Sequence, residues 1–462
     1  MKIYKSISNH ILPLFIAAIG FASCEKQLDI FPTQSIAAEK AMTDENAVSS
    51  TLIGCYDGIQ TSSLYGGDIM VLNEIIGNST NIRFTGTFAG LDQAYRGEMT
   101  SNNSFAEATW GSAYNTINRC NHVLANLEKV TSSPENKSRV EGEALFLRAS
   151  IYFELVRLYA KAIGDGDANS NPGVPLVLKP TSNPITEADY PSRSSVKQVY
   201  DQVVADLSRA EQLLPESNSR YATKWAAAAQ SAKVYLTLGM YADARDAADR
   251  VIEGSGIELN PSFENLWFTY IYGGGQTPDE YIFSIKVTTQ DGTNSLNTYF
   301  GRTISDIPGT AGRSDCKVKD AHMDIYEVGD LRSTFFVESG GARYTQKHLD
   351  QYGDVPVIRL AELYLIRAEA NVREATMIGA DPVDDINAIR ARAGLAPLVE
   401  VTLDDVLHEK MVELAFEGNY LPEAKRLQRT VGLTPWNSPT LILPIPQREM
   451  DVNKNLTQNQ GY

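Results

Sequence analysis

The sequence predicts a mainly α protein in which tetratricopeptide-like helical hairpins form an α-superhelical core, with loop-rich insertions and a few short strands. Three observations carry this. In residues 223–253, Ala228, Ser231, Ala232 and Tyr235 recur at helical spacing. Gly239 then interrupts, Tyr241 follows, and Ala244 and Ala248 begin a second small-residue face. Small faces let two helices approach closely and a glycine permits the reversal, so the spacing fits a helical hairpin of tetratricopeptide type, with an ordinary αα-hairpin in an all-α domain as the alternative. Such a hairpin cannot bury its own face and predicts neighbours stacked on it. Second, apolar residues at spacings of three and four recur in segments on both sides of it. Third, stretches 61–107 and 254–351 lose that period and fill with Gly, Ser, Thr and Asn, studded with aromatic rings.

In chain order, Lys2 and Lys5 precede a short apolar run, Ile11 to Ala18, as in a secretory signal covering residues 1–23. Ala22 and Ser23 before Cys24 resemble a bacterial lipobox, with Phe21 in place of the usual Leu. Cys24 is then the lipidated first residue; plain cleavage with a free cysteine is the alternative. Residues 24–45 read as a lipidated tether and 46–462 as one domain with two insertions. A helix is expected over 46–60 with Val48, Leu52, Ile53 and Tyr56 on one side. Helical period returns at Trp110 and is strong from Glu141 to Tyr159. Ser195 and Gln198 form a capping box before the apolar face Val196 to Ala210, and Pro215 stops that helix. Tyr281 to Val287 reads as a strand. Helices resume at Val357, and Thr402 with Asp405 caps the last long one.

Composition narrows the function. With 43% hydrophobic and 21% charged residues the chain is globular. A net charge of −16 argues against nucleic acid or an anionic membrane surface as partner. Four cysteines without a CxxC pair and five scattered histidines give no metal-ligand pattern, and no cofactor is expected. The alternation Asp165, Asp167, Asn169 starts like a calcium loop, but Ser170 and Leu176 stand where glycine and glutamate belong.

Longer matches then make the chain resemble the SusD/RagB family of surface nutrient-binding lipoproteins. They are EGEALFLRASIYFELVRLY at 141–159, PSRSSVKQVYDQVVADLSRAEQLLP at 191–215, VIRLAELYLIRAEANVRE at 357–374 and INAIRARAGL at 386–395. The ending LPIPQREMDVNKNLTQNQGY from Leu443 is the most specific. One departure follows ELAFEG at 413–418, where Asn419 to Glu423 replace an Arg-aromatic-Asp-Leu run and Pro422 is expected to disturb the local helix.

The resemblance implies an outer-membrane lipoprotein, lipid-anchored through Cys24 and facing the cell exterior. It would bind an oligosaccharide, or in some members a peptide, without cleaving it. It would sit as a lid on a SusC-type TonB-dependent outer-membrane transporter. A tetratricopeptide scaffold without a small ligand is the competing binding reading. Trp110 resembles a family-wide helix-start tryptophan and belongs to the core.

An enzyme is not expected. Glu409, Glu413 and Glu417 recur every four residues, so they are neighbours on one helix face and not two carboxylates across a cleft. Arg373, Arg390, Arg392 and Arg426 are their expected ion-pair partners. Glycan binding calls instead for aromatic faces beside hydrogen-bonding side chains. In the first insertion that mixture favours Tyr65, Asn81, Arg83, Phe84 and Tyr95; in the second, Trp267, Tyr270, Tyr272 and Tyr299. For any ring taken singly, the simpler reading is that it plugs a loop onto the helical core.

Overall fold

A computed structural model describes residues 42–181 and 185–462. The signal, Cys24 and most of the tether lie outside the described residues. Helix α1 (Glu45–Gln60) is followed by α2 (Asp68–Ile75), β1 (Ile82–Phe84), α3 (Ala89–Arg96), α4 (Ser104–Ala125) and α5 (Pro134–Tyr159). Next come α6 (Val196–Leu213), α7 (Lys224–Leu238), α8 (Tyr241–Gly254), α9 (Phe263–Trp267), β2 (Tyr281–Ile285) and α10 (Ser295–Phe300). Then follow β3 (Cys316–Val318), α11 (Asp320–Met323), β4 (Phe336–Ser339), β5 (Ala342–Thr345) and β6 (Val355–Arg359). The last helices are α12 (Leu360–Glu374), α13 (Pro382–Arg392), α14 (Leu403–Glu413), α15 (Tyr420–Arg426) and α16 (Gln447–Val452).

The core is a continuous stack. Helix α1 packs on α4, α4 on α5, α5 on α6, α6 on α7, α7 on α8, α8 on α12, and α12 on α13 and α14. The contact of α8 with α12 spans the whole second insertion, so that segment leaves the solenoid and returns without breaking it. Short faces make the stack close. Ala226 to Ala229 and Ala232 of α7 are buried, as are Ala244, Ala247 and Ala248 of α8. Thr223 caps α7 by accepting from the Ala226 N–H, and Gly239 closes it in the left-handed region at φ 72°.

The capping boxes at Ser195/Gln198 and Thr402/Asp405 form as expected. In α1, Val48 and Leu52 are buried, but Ile53 is 57% exposed and does not join their face. The first insertion is more ordered than its composition suggested: α2, β1 and α3 lie within it, and α4 begins at Ser104, ahead of Trp110. Helix α2 is buried along its whole length, with Asp68, Asn73 and Glu74 as well as its apolar residues inside, so it carries no amphipathic period to read.

Pro422 does not break a helix. It occupies the first turn of α15, where backbone N–H groups have no intrahelical acceptor to lose. Those donors are served from α2: Glu74 Oε1 accepts from Gly418 (2.7 Å), Asn419 (3.0 Å) and Tyr420 (3.4 Å). A carboxylate at a helix start also meets the positive end of its dipole.

The chain end is clasped to the core by side chains. Asn459 Nδ2 donates to the carbonyls of Tyr159 and Leu443, both at 2.8 Å. Arg193 donates to the Thr457 carbonyl and to Asn459 Oδ1, and the Tyr462 hydroxyl to the Ile442 carbonyl.

Candidate ligand-binding face

The two insertions meet in one sheet of order β1-β3-β5-β4. Strand β1, from the first, pairs antiparallel with β3, from the second, in the register Ile82↔Val318 and Phe84↔Cys316. Alternation along β1 buries Ile82 and Phe84 and turns Arg83 outward. Beyond the strand, the Thr85 N–H donates to the Asp315 carbonyl. Arg313 lies 4.8 Å over the Phe88 ring, donates to Thr87 Oγ1 at 3.0 Å and pairs with Asp315 at 3.0 Å. Phe88 is 40% exposed and rests edge-on against buried Tyr299, centroids 5.5 Å apart. The seam therefore presents an exposed ring braced by a guanidinium, with Arg83 and Thr85 nearby on β1 and the chain leaving it.

A second aromatic group lies where the returning chain passes residues 268–275. Tyr270 and Tyr272 are 41% and 55% exposed. Tyr270 stands edge-on to Tyr352, centroids 5.2 Å apart. One buried carboxylate fixes both backbones: Asp350 Oδ2 accepts from the N–H of Tyr270 (2.7 Å) and Ile271 (3.2 Å), and Oδ1 from Tyr352 (3.2 Å). Burial raises the Asp350 carboxyl despite those three donors. Residues 301–314 tie the two groups together, because Thr310 bridges Asp350 and Arg302 bridges Arg313. Gly312 makes this loop possible: at φ 136° a side chain there would lie 2.1 Å from the Gly301 carbonyl carbon.

The structure separates the residues favoured from sequence. Arg83, Tyr270 and Tyr272 are exposed, and Asn81 and Tyr95 are half-buried. Tyr95 donates its hydroxyl to the Ile82 carbonyl at 3.0 Å. Tyr65, Phe84, Trp267 and Tyr299 are buried and offer no ring face to a ligand as they stand. Tyr65 is held by Glu154 Oε1 (3.1 Å) and the Ser150 carbonyl (3.3 Å). Trp267 is only 3% exposed and packs against Lys347 (4.9 Å) and Arg359 (5.8 Å). Sequence reading missed Phe88, Arg313 and Tyr352. Phe88 lay in the right segment, but only the fold brings Arg313 across to it.

Asn81 lines a separate cavity of about 450 Å³ whose walls include Leu407, Met411, Leu414, Phe416 and Arg429. Its lining is mainly apolar, a setting suited to a small ligand group.

The three glutamates hold an ion network and not a cleft. Helix α14 ends at Glu413, so Glu417 sits in the following turn and the carboxylates do not share one helix face. Glu413 meets Arg359 (2.7 Å), Arg332 (3.1 Å) and Arg392. Glu409 meets Arg332 and Arg390, and Glu417 meets Arg359 and Lys347. Arg390 and Arg392 are partners as expected, whereas Arg373 and Arg426 pair with Glu369. Burial alone would raise Glu413, but Arg392, Arg359 and Arg332 hold it well below the usual carboxylate range. A carboxylate so held cannot serve as a proton donor near neutral pH.

Among the described residues no helix is long and apolar enough to cross a membrane. A family model described as "starch-binding associating with outer membrane" matches residues 28–236, and one described as the SusD family matches 334–434. SusD-like protein P2 of Formosa agariphila is 25% identical, with all of both chains aligned. A SusD superfamily protein of Bacteroides thetaiotaomicron superposes with a TM-score of 0.76 at 24% identity, covering 90% of this chain and 99% of that one. A laminarin binding SusD-like protein superposes with a TM-score of 0.74 at 22% identity, covering 91% and 100%.

Proposed function

Because this chain belongs to the SusD/RagB family, we propose that it is a non-catalytic, cell-surface glycan-binding lipoprotein. It captures oligosaccharide and passes it to a TonB-dependent outer-membrane transporter of the SusC type. The family is one of starch- and glycan-binding proteins associated with the outer membrane. The observation that carries the reading is the aromatic face: exposed Tyr270 and Tyr272 beside half-buried Tyr352 on a backbone clamped by Asp350, and exposed Phe88 under Arg313. Rings fixed in advance stack on the apolar face of a sugar at little entropic cost, while Arg83, Thr85 and Thr87 supply hydrogen bonds to hydroxyls. Laminarin, bound by the similar protein of that description, and starch are the first glycans to try.

The deciding experiment is a glycan and peptide array on protein comprising residues 25–462, with product analysis. Glycan retention without hydrolysis supports the proposal. Peptide retention alone transfers the same architecture to peptide capture. Capture of a protein with neither small ligand favours a scaffold, and sugar release abolished by changing one carboxylate overturns the non-catalytic reading.

A further inference from the structure

A second cavity, of about 180 Å³, lies away from the aromatic face, between the end of α5, the α7–α8 turn and α15. Arg157, Tyr200, Gly239, Pro422, Lys425 and Arg426 line it. Lys425 is 6% exposed. Its ammonium donates to the carbonyls of Arg157 (3.2 Å) and Leu441 (3.5 Å), and no carboxylate lies within 4.0 Å of it among the described residues. Burial lowers it to about 8, which leaves it charged at neutral pH.

The neighbouring ion pairs do not neutralise this charge. Arg157 pairs with Glu154 through Nη2 and lies 4.0 Å over the Phe153 ring, while its buried Nε has no partner. Glu154 is already shared with the Tyr65 hydroxyl, and its Oε2 also lacks a partner. Arg426 is spent on Glu369 and Glu423, which also serve Arg373 and Lys410. The walls and their partners thus gather five cations, Arg157, Arg373, Lys410, Lys425 and Arg426, against three carboxylates, Glu154, Glu369 and Glu423. Asp165 attracts Lys425 from beyond 4.0 Å and is itself engaged by Lys161 at 3.6 Å, so it offsets the charge without pairing with it. A buried cation without a directly paired counter-charge is costly, and the cavity it lines is where one would be supplied.

We propose that this cavity binds a small oxyanion of phosphate or carboxylate size, held by Lys425 Nζ and Arg157 Nε. Charge-assisted N–H···O bonds to both would satisfy the free guanidinium donor and neutralise the surplus ammonium. The anion would join the carboxyl end of α5 to the α7–α8 turn and α15, three parts of the solenoid distant in sequence. This inference is independent of the glycan proposal, since it uses none of the same residues.

The test is calorimetric and thermal titration of wild type and Lys425→Met with inorganic phosphate and, separately, acetate. Wild type should bind at least one of them and melt higher as its concentration rises. Lys425→Met keeps the side-chain stem, removes the buried charge, and should lose about 10-fold or more in affinity, the scale of one charge-assisted hydrogen bond. Phosphate alone, or acetate as well, tells a phosphate site from a carboxylate site. No response in wild type, or an equal response in the variant, overturns the proposal. Should Lys425→Met not fold, wild-type crystals soaked in selenate decide: anomalous density beside Lys425 supports the site, and its absence there sinks it.

Discussion

Arg359 and Glu413 form an ion pair at 2.7 Å with neither side chain more than 2% exposed. Arg359 is the last residue of β6 and the N-cap of α12, and Glu413 is the last of α14, so the pair ties the return of the second insertion to the end of the solenoid. Glu280, just before β2, also meets Arg359 at 3.1 Å.

Glu413→Gln should therefore destabilise the protein by about 3–5 kcal/mol, because it leaves Arg359, Arg332 and Arg392 short of a buried counter-charge. Urea denaturation at neutral pH measures this. A loss below about 1 kcal/mol would mean the network is no more than surface-like.

The same residue predicts a pH dependence. The folded state holds Glu413 below its unfolded value of about 4.3, so its contribution is complete above that pH. It declines as pH falls through the lower folded value. The stability gap between wild type and Glu413→Gln should stay constant from about pH 7 to 5 and shrink below about 4. A gap that widens with acid would contradict the assigned sign.

Trp267 and Tyr272 should part company. Trp267→Ala empties a buried site and should cost about 3–5 kcal/mol in stability. Tyr272→Ala, at an exposed position, should change stability by less than about 0.5 kcal/mol. It should weaken binding of a retained glycan by about 0.5–1.5 kcal/mol. Melting curves beside calorimetric titration separate the two; equal melting behaviour would return Trp267 to the ligand side.

Two glycines test backbone against packing. Gly239→Ala meets only the Tyr241 hydroxyl, at an ordinary contact distance of 3.9 Å, and at φ 72° should cost about 1 kcal/mol from its conformation alone. Gly312→Ala collides with the Gly301 backbone and should displace residues 301–314. Its signature is greater destabilisation together with loss of glycan binding.

Cys24→Ala should release the mature protein from the outer membrane, read by fractionation and by mass analysis of the processed terminus. Retention in the membrane without lipid at residue 24 would end the lipoprotein proposal.

Much of the solenoid was legible in the sequence because its signals are local: alanines at helical spacing, Gly239 at a turn, Ser195 and Thr402 as caps. Helix α2 was not, because burial on all sides erases the period that marks an amphipathic helix. The ion network was half legible. The spacing of Glu409 and Glu413 is visible, but Arg332 and Arg359 reach them only through the fold of the second insertion. Among the aromatic residues, composition located the two segments yet could not tell Tyr272 from Trp267. Exposure is set by partners such as Lys347 and Asp350, which lie some 80 residues away from Trp267 and Tyr270.

The short pairing of β1 with β3 has an evolutionary consequence. Two segments more than 200 residues apart in the chain are indexed to each other by a three-residue register, Ile82 to Phe84 against Cys316 to Val318. Loop tips beyond that index can lengthen, shorten or be exchanged one at a time while the helical frame keeps its sequence. Under the proposed function, chimaeras joined at Phe84 and Cys316 should inherit the recognition of the donor.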